Sequence, residues 1–375
     1  MVSNAVRQPV VAHVVESCDG GIATIVTMII ESQRKDPKFG MIHLLVDQNS
    51  KSLDLRASAN VVHSYYSSRN PLQIPRISAE LSRLLRKIEP DVVVLHSTFP
   101  GVWGRLRTRQ WRTVYCAHGW AFNRDTSRLA KKVYGAIEGS LSYLCDAIVS
   151  ISSDEYVSAR RAGVRDRDHR IIPHGMDWAQ PATDFILLPK STRIDLAFVG
   201  RFERAKGIDI LFEIFDDARL DEICVWIVGG DVRGTGEYRL PQRPNLRFLG
   251  WLERPYVDAV LSQVDALIAP SRWEAFGLAA VEAMRNGKPV IASRVGGLTE
   301  IVTDGANGKF FDVTDIAGCR EILMSLDRNT LEKWGKAALE KYIERYSWDA
   351  CYNQWRDIIL GKQSSLNVHP GTSRI

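Results

Sequence analysis

Glu274 and Glu282, eight residues apart, bracket the segment Glu274-Ala-Phe-Gly-Leu-Ala-Ala-Val-Glu282. It follows an apolar run, Ala266 to Ala269, and a loop, Pro270-Ser271-Arg272-Trp273. A helix starting near Gly277 leaves Glu274 in the loop and carries Glu282 two turns inward, so the carboxylates reach different parts of one extended ligand. The first turn of that helix offers unpaired N–H groups and partial positive charge to a diphosphate. Gly277 permits close backbone approach.

Three further stretches suit the same kind of ligand. Val199-Gly-Arg201-Phe-Glu-Arg-Ala-Lys206-Gly207 sets two cations five residues apart, after one apolar run and before a helical pattern. An Arg and a Lys beside a helix entrance suit pyrophosphate. Val295-Gly296-Gly297-Leu-Thr-Glu300 again pairs glycines with a carboxylate at a helix start, and Gly20-Gly21 follows the first apolar run, where bare backbone could border a ligand.

Alternating elements must hold these residues. Pro9 to Val15, Met41 to Val46, Asp91 to His96, Thr113 to Ala117, Ala147 to Ile151 and Arg170 to Ile172 read as buried strands. Between them Ile77, Leu81, Leu84, Leu85 and Ile88 share one helical face, ended by Pro90. Pro173-His174-Gly175, Pro181 and Pro189 read as a linker. Alternation then restarts with Asp195 to Val199, Ile223 to Val228, Asn245 to Leu249, Ala266 to Ala269, Pro289 to Ala292 and Lys309 to Phe311. Strand and helix in alternation imply a parallel sheet covered on both faces, here twice. The expected fold is α/β: two Rossmann-like, doubly wound domains facing a central cleft where strand carboxyl ends converge. The expected boundaries are 1–178 for the first domain, 179–345 for the second, 346–361 for a helix crossing back to the first, and 362–375 for a tail. Trp334, Tyr342, Tyr346, Trp348 and Trp355 give that last helical region apolar surface to tie the domains together.

Composition agrees with a two-domain enzyme. At 375 residues the chain exceeds what one core usually serves, and 45% apolar with 25% charged residues is the ordinary globular range. Six scattered cysteines form no Cys-x-x-Cys pair, and no His cluster has metal-ligand spacing, which argues against a disulfide frame or zinc site. No apolar stretch approaches the ~20 residues of a membrane-spanning helix, and no secretory signal is read, so the expected address is the cytoplasm. Residues 1–180 hold 24 Lys+Arg against 17 Asp+Glu, leaving 25 against 27 for the rest, so the positive surplus is N-terminal. Such asymmetry marks contact with phosphates or simply a solvated basic face.

Gly20-Gly21, His118-Gly119, Gly200-Arg201 through Lys206-Gly207, the Glu274/Glu282 pair and Gly296-Gly297 with Glu300 occur in this order, each at a strand-to-helix junction. In that order they resemble the retaining glycosyltransferases of family four, which have the two-domain GT-B fold, and the resemblance covers nearly the whole chain. It implies that Arg201 and Lys206 hold the donor diphosphate, and that Glu274 binds hydroxyls of the donor sugar. Phe276, Gly277 and Leu278 would present backbone N–H groups, Glu282 would bind the ribose, and His118 would approach the sugar from the other domain. Transfer with retention then needs no metal or other cofactor, and no general base is assigned. Where the family often has Pro-Asn-Gly at the linker, this chain has Pro173-His174-Gly175. Asp166-Arg-Asp168 resembles a metal motif in letters only, since it lies in a charged loop.

The implied partners are a UDP- or GDP-linked sugar and a glycan or lipid-linked acceptor of surface polysaccharide synthesis. The arginine-rich stretch Trp103, Arg105, Arg107, Arg109, Trp111 and Arg112, with Arg128, Lys131 and Lys132, could touch anionic lipid headgroups at the inner face of a membrane, or be solvated. Nucleic acid is not expected, because no recognition motif accompanies the charge. A sugar-nucleotide epimerase and a non-catalytic nucleotide-sugar-binding subunit are the competing readings. A nicotinamide-linked dehydrogenase lacks its Gly-x-Gly-x-x-Gly after the first strand.

Overall fold

The structure, a computed structural model, describes residues 7–16, 21–50, 53–124, 126–185, 194–231 and 238–362. The chain falls into two compact units, one running to His174 and resuming at Cys351, the other spanning Gly175–Ala350.

In the first unit the strands are β1 Val11–Val15, β2 Ile42–Asp47, β3 Val61–Tyr65, β4 Val92–His96, β5 Arg112–Cys116, β6 Ala147–Ser150 and β7 His169–Ile171. They form one seven-stranded sheet in the order β3-β2-β1-β4-β5-β6-β7, and every pairing is parallel. Helices Gly21–Lys35, Ile74–Ile88, Thr98–Arg105, Arg128–Leu141 and Ser153–Arg161 fill the crossovers. The central strands β1 and β4 are buried at every residue, which is why they read as apolar runs in which His13 and His96 are the one polar residue each. β3 escapes the sequence reading because it is an edge strand whose one buried residue is Tyr65. The helix Ile74–Ile88 packs the expected face: Ile77, Leu81 and Leu85 are buried, with Leu84 and Ile88 partly so. Each fully buried aliphatic side chain contributes about 1.5–3 kcal/mol. Pro75 lies in its first turn, and the left-handed Glu89 (φ 50°) stops it ahead of Pro90.

The second unit repeats the plan with β8 Ile194–Val199, β9 Ile223–Val228, β10 Leu246–Gly250, β11 Ala266–Ala269, β12 Val290–Ser293 and β13 Gly308–Phe311, in the order β10-β9-β8-β11-β12-β13. All of its pairings are parallel as well. Strand order reverses between β1 and β4 in one sheet and between β8 and β11 in the other. Loops leaving the carboxyl ends of such neighbours run in opposite directions and open a crevice. The C-terminal aromatic segment forms two helices, Arg328–Arg345 and Trp348–Ile359, the second within the expected 346–361. Tyr342 and Tyr346 are buried in the second unit, Trp355 in the first.

The basic stretch of residues 103–112 is divided: Arg107 and Arg109 are exposed and Trp111 and Arg112 half-buried, whereas its first two members are internal and not part of any lipid-facing or solvated surface. Trp103 and Arg105 are fully buried. The Arg105 guanidinium donates to Glu138 at 2.6 Å and lies 4.0 Å over the ring centre of Tyr115. Arg112 donates to the Ile358 carbonyl at 3.0 Å and reaches Asp168 at 3.5 Å. A cation so buried needs a carboxylate partner, and Glu138 comes from a helix 33 residues away.

Candidate functional site

The crevice flanked by β8 and β11 gathers the residues singled out in the second half of the chain. After β8 the loop from Gly200 closes with a single turn, Arg204–Lys206, and ends at Gly207, which has φ 68°. A Cβ there would lie 1.8 Å from the Pro270 carbonyl oxygen, so only glycine lets this loop touch the one after β11. Two more contacts clamp the loops. The Arg272 N–H donates to the Ala205 carbonyl at 2.9 Å, and the Arg272 guanidinium forks onto both carboxylate oxygens of Asp209 at 2.7 Å.

The β12 loop locks in from the other side. Gly297 donates its N–H to the Glu274 carbonyl at 3.0 Å. A Cβ on Gly296 would sit 1.9 Å from that same oxygen, and one on Gly297 2.4 Å from the Phe276 carbonyl. The two glycines therefore bring the β12 loop onto the backbone of 274–276 and fix where Glu274 stands. Glu300, on the short helix Leu298–Ile301, is half-buried, and its carbonyl accepts from the Lys341 ammonium at 2.7 Å.

On this scaffold the Lys206 ammonium is paired with the Glu274 carboxylate, the two side chains being 24% and 14% exposed. Both line one small pocket with Ser271, Gly277, Ala280 and Leu298. Arg201 stands outside that lining, half exposed and bonded to Glu203 at 2.9 Å. The helix Leu278–Arg285 starts where the sequence places it, with Gly277 as its left-handed N-cap (φ 110°). Its first backbone bond runs from Ala280 N–H to the Gly277 carbonyl at 3.0 Å, so the amides of Gly277 and Leu278 precede the ladder. The Phe276 ring is core, packed edge-on against Tyr346 at 5.9 Å, which leaves only its backbone toward the loop.

Glu282 lies two turns into that helix, its side chain 14% exposed and 3.8 Å from Arg254. Burial pushes its carboxyl above the usual range, with Arg285, Arg254 and Lys206 pulling the other way. Glu274, Lys206 and Glu282 thus share one electrostatic neighbourhood: the ammonium pairs with one carboxylate and acts at longer range on the other, beside a helix start. That arrangement can hold an anion at Lys206 and a polyhydroxylated group at Glu274.

In the first unit Gly20 lies outside the described residues, and Gly21 opens the helix Gly21–Lys35 as an exposed residue. His118 follows β5 in the left-handed region (φ 50°) and is buried. Both its ring nitrogens are engaged: Nε2 with His96 Nδ1 at 2.9 Å, Nδ1 with His174 Nε2 at 3.2 Å. The side chain expected to approach a sugar is thus built into a file of histidines that also includes His13. Burial lowers His13 to about 4 and His118 to about 3. His96 and His174 are depressed by burial and by the neighbouring imidazoles. Sequence reasoning missed His13, His96 and His174 because only strand register brings them together. Among the described residues no group of three or more His, Cys, Asp or Glu side chains could hold a metal ion, and no helix is long and apolar enough to cross a membrane.

Comparison with known proteins follows the division into halves. The family model described as glycosyl transferases group 1 matches residues 180–341, and that of Glycosyltransferase Family 4 matches residues 20–180. An uncharacterized 41.2 kDa protein in the cps region of Klebsiella pneumoniae is 27% identical over 339 residues, covering 87% of this chain and 91% of that protein. The Escherichia coli UDP-Gal:alpha-D-GlcNAc-diphosphoundecaprenol alpha-1,3-galactosyltransferase is 26% identical over 257 residues, 63% of this chain and 66% of its own. Among solved structures, Anabaena HepE in complex with UDP and glucose superposes with a TM-score of 0.78 at 18% identity, covering 94% of this chain and all of the other. At that identity the likeness is one of fold.

Proposed function

The chain belongs to the glycosyltransferases with the two-domain GT-B fold, and on that premise we propose that it moves a sugar from a UDP- or GDP-linked donor to a glycan or lipid-linked oligosaccharide, with retention of anomeric configuration. The observation that carries this reading is the Lys206–Glu274 pair at the switch point of the second sheet. A bound diphosphate competes with Glu274 for the ammonium, freeing the carboxylate to accept from hydroxyls of the attached sugar. Arg201, exposed on the same loop, can fold onto the phosphates. The Gly277 and Leu278 amides add N–H donors at a helix start, and Glu282 is the carboxylate for the ribose.

In the proposed step the bond between the anomeric carbon and the diphosphate oxygen breaks while the acceptor oxygen bonds to the same face. The acceptor's proton passes to the departing phosphate. Negative charge grows on that phosphate, so Lys206 and Arg201 stabilise the transition state more than the ground state. Protein cations take the charge, and the proposal includes no metal ion. A UDP-linked donor is supported by HepE, solved with UDP and glucose, and a lipid-linked acceptor by the name of the E. coli relative.

A cytoplasmic site of action at the inner face of a membrane belongs to the same proposal, and the helix Arg128–Leu141 supports it. Its inner side is small, with Gly135 and Gly139 close against Ala162 and Gly163. Its outer side is apolar: Leu129, Val133 and Ile137, one turn apart, are 73%, 48% and 41% exposed. Arg128, Lys131 and Lys132 flank that stripe. Apolar residues turned outward between cations suit insertion at an anionic headgroup layer.

The test is turnover of UDP- and GDP-sugars with membrane lipid extract as acceptor, read as nucleoside diphosphate release. Lys206→Ala and Glu274→Ala should each lower it about 100-fold, the scale of one lost charge-stabilising group, with circular dichroism unchanged. Wild-type rates in either variant remove the site assignment. An epimerised donor formed without acceptor replaces transfer with epimerisation.

A further inference from the structure

Four of the eight histidines stand in one file across the first unit, and parallel register puts them there. His13 on β1 lies opposite Val94 on β4, and His96 is two residues further along the same strand. His96 in turn lies opposite Cys116 on β5, with His118 two residues beyond. Residues two apart share a sheet face. Each step therefore moves one strand sideways and two residues toward the carboxyl edge, and His174, after β7, completes the file.

The contacts form one unbroken chain. Gln33 Oε1, from the helix Gly21–Lys35, meets His13 Nε2 at 2.7 Å; His13 Nδ1 meets His96 Nε2 at 2.9 Å; His96 Nδ1 meets His118 Nε2 at 2.9 Å; His118 Nδ1 meets His174 Nε2 at 3.2 Å. Successive rings are stacked, with interplanar angles of 13°, 28° and 28°. All five side chains are buried.

A neutral imidazole has one donor and one acceptor nitrogen, so the polarity of one bond dictates the next. The Gln33 carbonyl oxygen only accepts. His13 must then donate from Nε2, which leaves its Nδ1 to accept from His96 Nε2–H, and the same logic passes through His118 to His174. Nor is the file a route for protons, because it ends on a buried amide that does not titrate. What it transmits is direction. Its output is His118, whose left-handed backbone, followed by Gly119 at φ 119°, needs fixed partners to persist.

We propose that Gln33, His13 and His96 are positioning residues that lock His118 in a single neutral Nε2–H tautomer and thereby hold the 117–120 turn at the carboxyl edge of β5. The consequence of that turn for transfer rests on the donor-site reading above; the lock itself needs no substrate. Nitrogen NMR of the full chain, ring-15N-labelled at histidine and free of substrate at neutral pH, reads the tautomers directly. His13, His96 and His118 should each appear as one Nε2–H form. Gln33→Leu, which removes the accepting oxygen, should mix the tautomers of all three. Gln33→Glu should keep them single, as a carboxylate does for the histidine of a hydrolase triad.

In parallel, kcat for UDP release from UDP-glucose should fall about 10- to 100-fold in Gln33→Leu at unchanged KM, the scale of a misplaced contact, and recover in Gln33→Glu. Mixed or doubly protonated His118 in the wild type overturns the proposal, as does an unchanged His118 tautomer in Gln33→Leu. Scrambled tautomers at undiminished kcat overturn the positioning role. Wild-type protein that shows the single tautomers yet releases no UDP supports the lock and sinks the UDP-donor reading instead.

Discussion

Acidification from neutrality to pH 5 should strip stability from the first unit before it touches the second. The four histidines of the file are buried and neutral, with His13 held near 4 and His118 near 3 against an unfolded value of 6.5. Below 6.5 the unfolded chain binds protons that the folded chain refuses, so stability falls as pH falls and levels off only near the folded values. For His13 the full displacement corresponds to about 3 kcal/mol, of which about 2 kcal/mol is already lost at pH 5. His118, held lower still, loses a similar amount, and His96 and His174, depressed by burial and by the neighbouring imidazoles, shift stability in the same direction, against a whole domain stability of about 5–15 kcal/mol. His169, which burial lowers to about 4, adds to the same window. Carboxylates held low by hydrogen bonds or ion pairs, such as Asp209 and Asp304, lose their contribution only below the ordinary carboxylate range and leave the window above pH 5 to histidine. Urea midpoints at pH 7.5, 6.0 and 5.0 measure the slope, and His13→Gln, which keeps a donor and an acceptor but cannot titrate, should reduce the loss at pH 5 by about 2 kcal/mol. Equal midpoints at pH 7.5 and 5.0, or a full slope in the variant, would refute the reasoning.

Two further outcomes follow from burial and exposure. Glu138→Ala leaves the Arg105 guanidinium buried without its carboxylate and also takes an acceptor from the Tyr115 hydroxyl, now 3.1 Å away. It should cost about 3–5 kcal/mol in urea denaturation, and a loss under about 1 kcal/mol would show that the pair does not hold the first unit together. Anionic vesicles at low salt should float the wild-type protein, and Leu129→Ser with Ile137→Ser should release it. Wild-type protein that stays at the bottom of the gradient removes the membrane contact.

The second-half site was legible because its signals are local. Gly277, Gly296, Lys206 and Glu274 are each read with their own loop, and a loop between an apolar run and a helical pattern can only leave a strand's carboxyl end. β3 was not legible, since an edge strand with a single buried residue lacks the apolar run that marked its neighbours. Arg105 misled for the same reason in reverse. Its charge advertises a surface, whereas its partner, Glu138, lies 33 residues away.

Sequence alone therefore determined two α/β units, their strand-to-loop junctions and which residues those loops carry at the second sheet, because side-chain period, glycine and charge act over a few residues. Tertiary structure decided which residues stand side by side. The histidine file depends on β1, β4 and β5 pairing in one register, and a slip of one residue in β1 or β4 would turn His13 or His96 to the opposite face of the sheet. Register is set by packing across the whole sheet, and no single strand carries it.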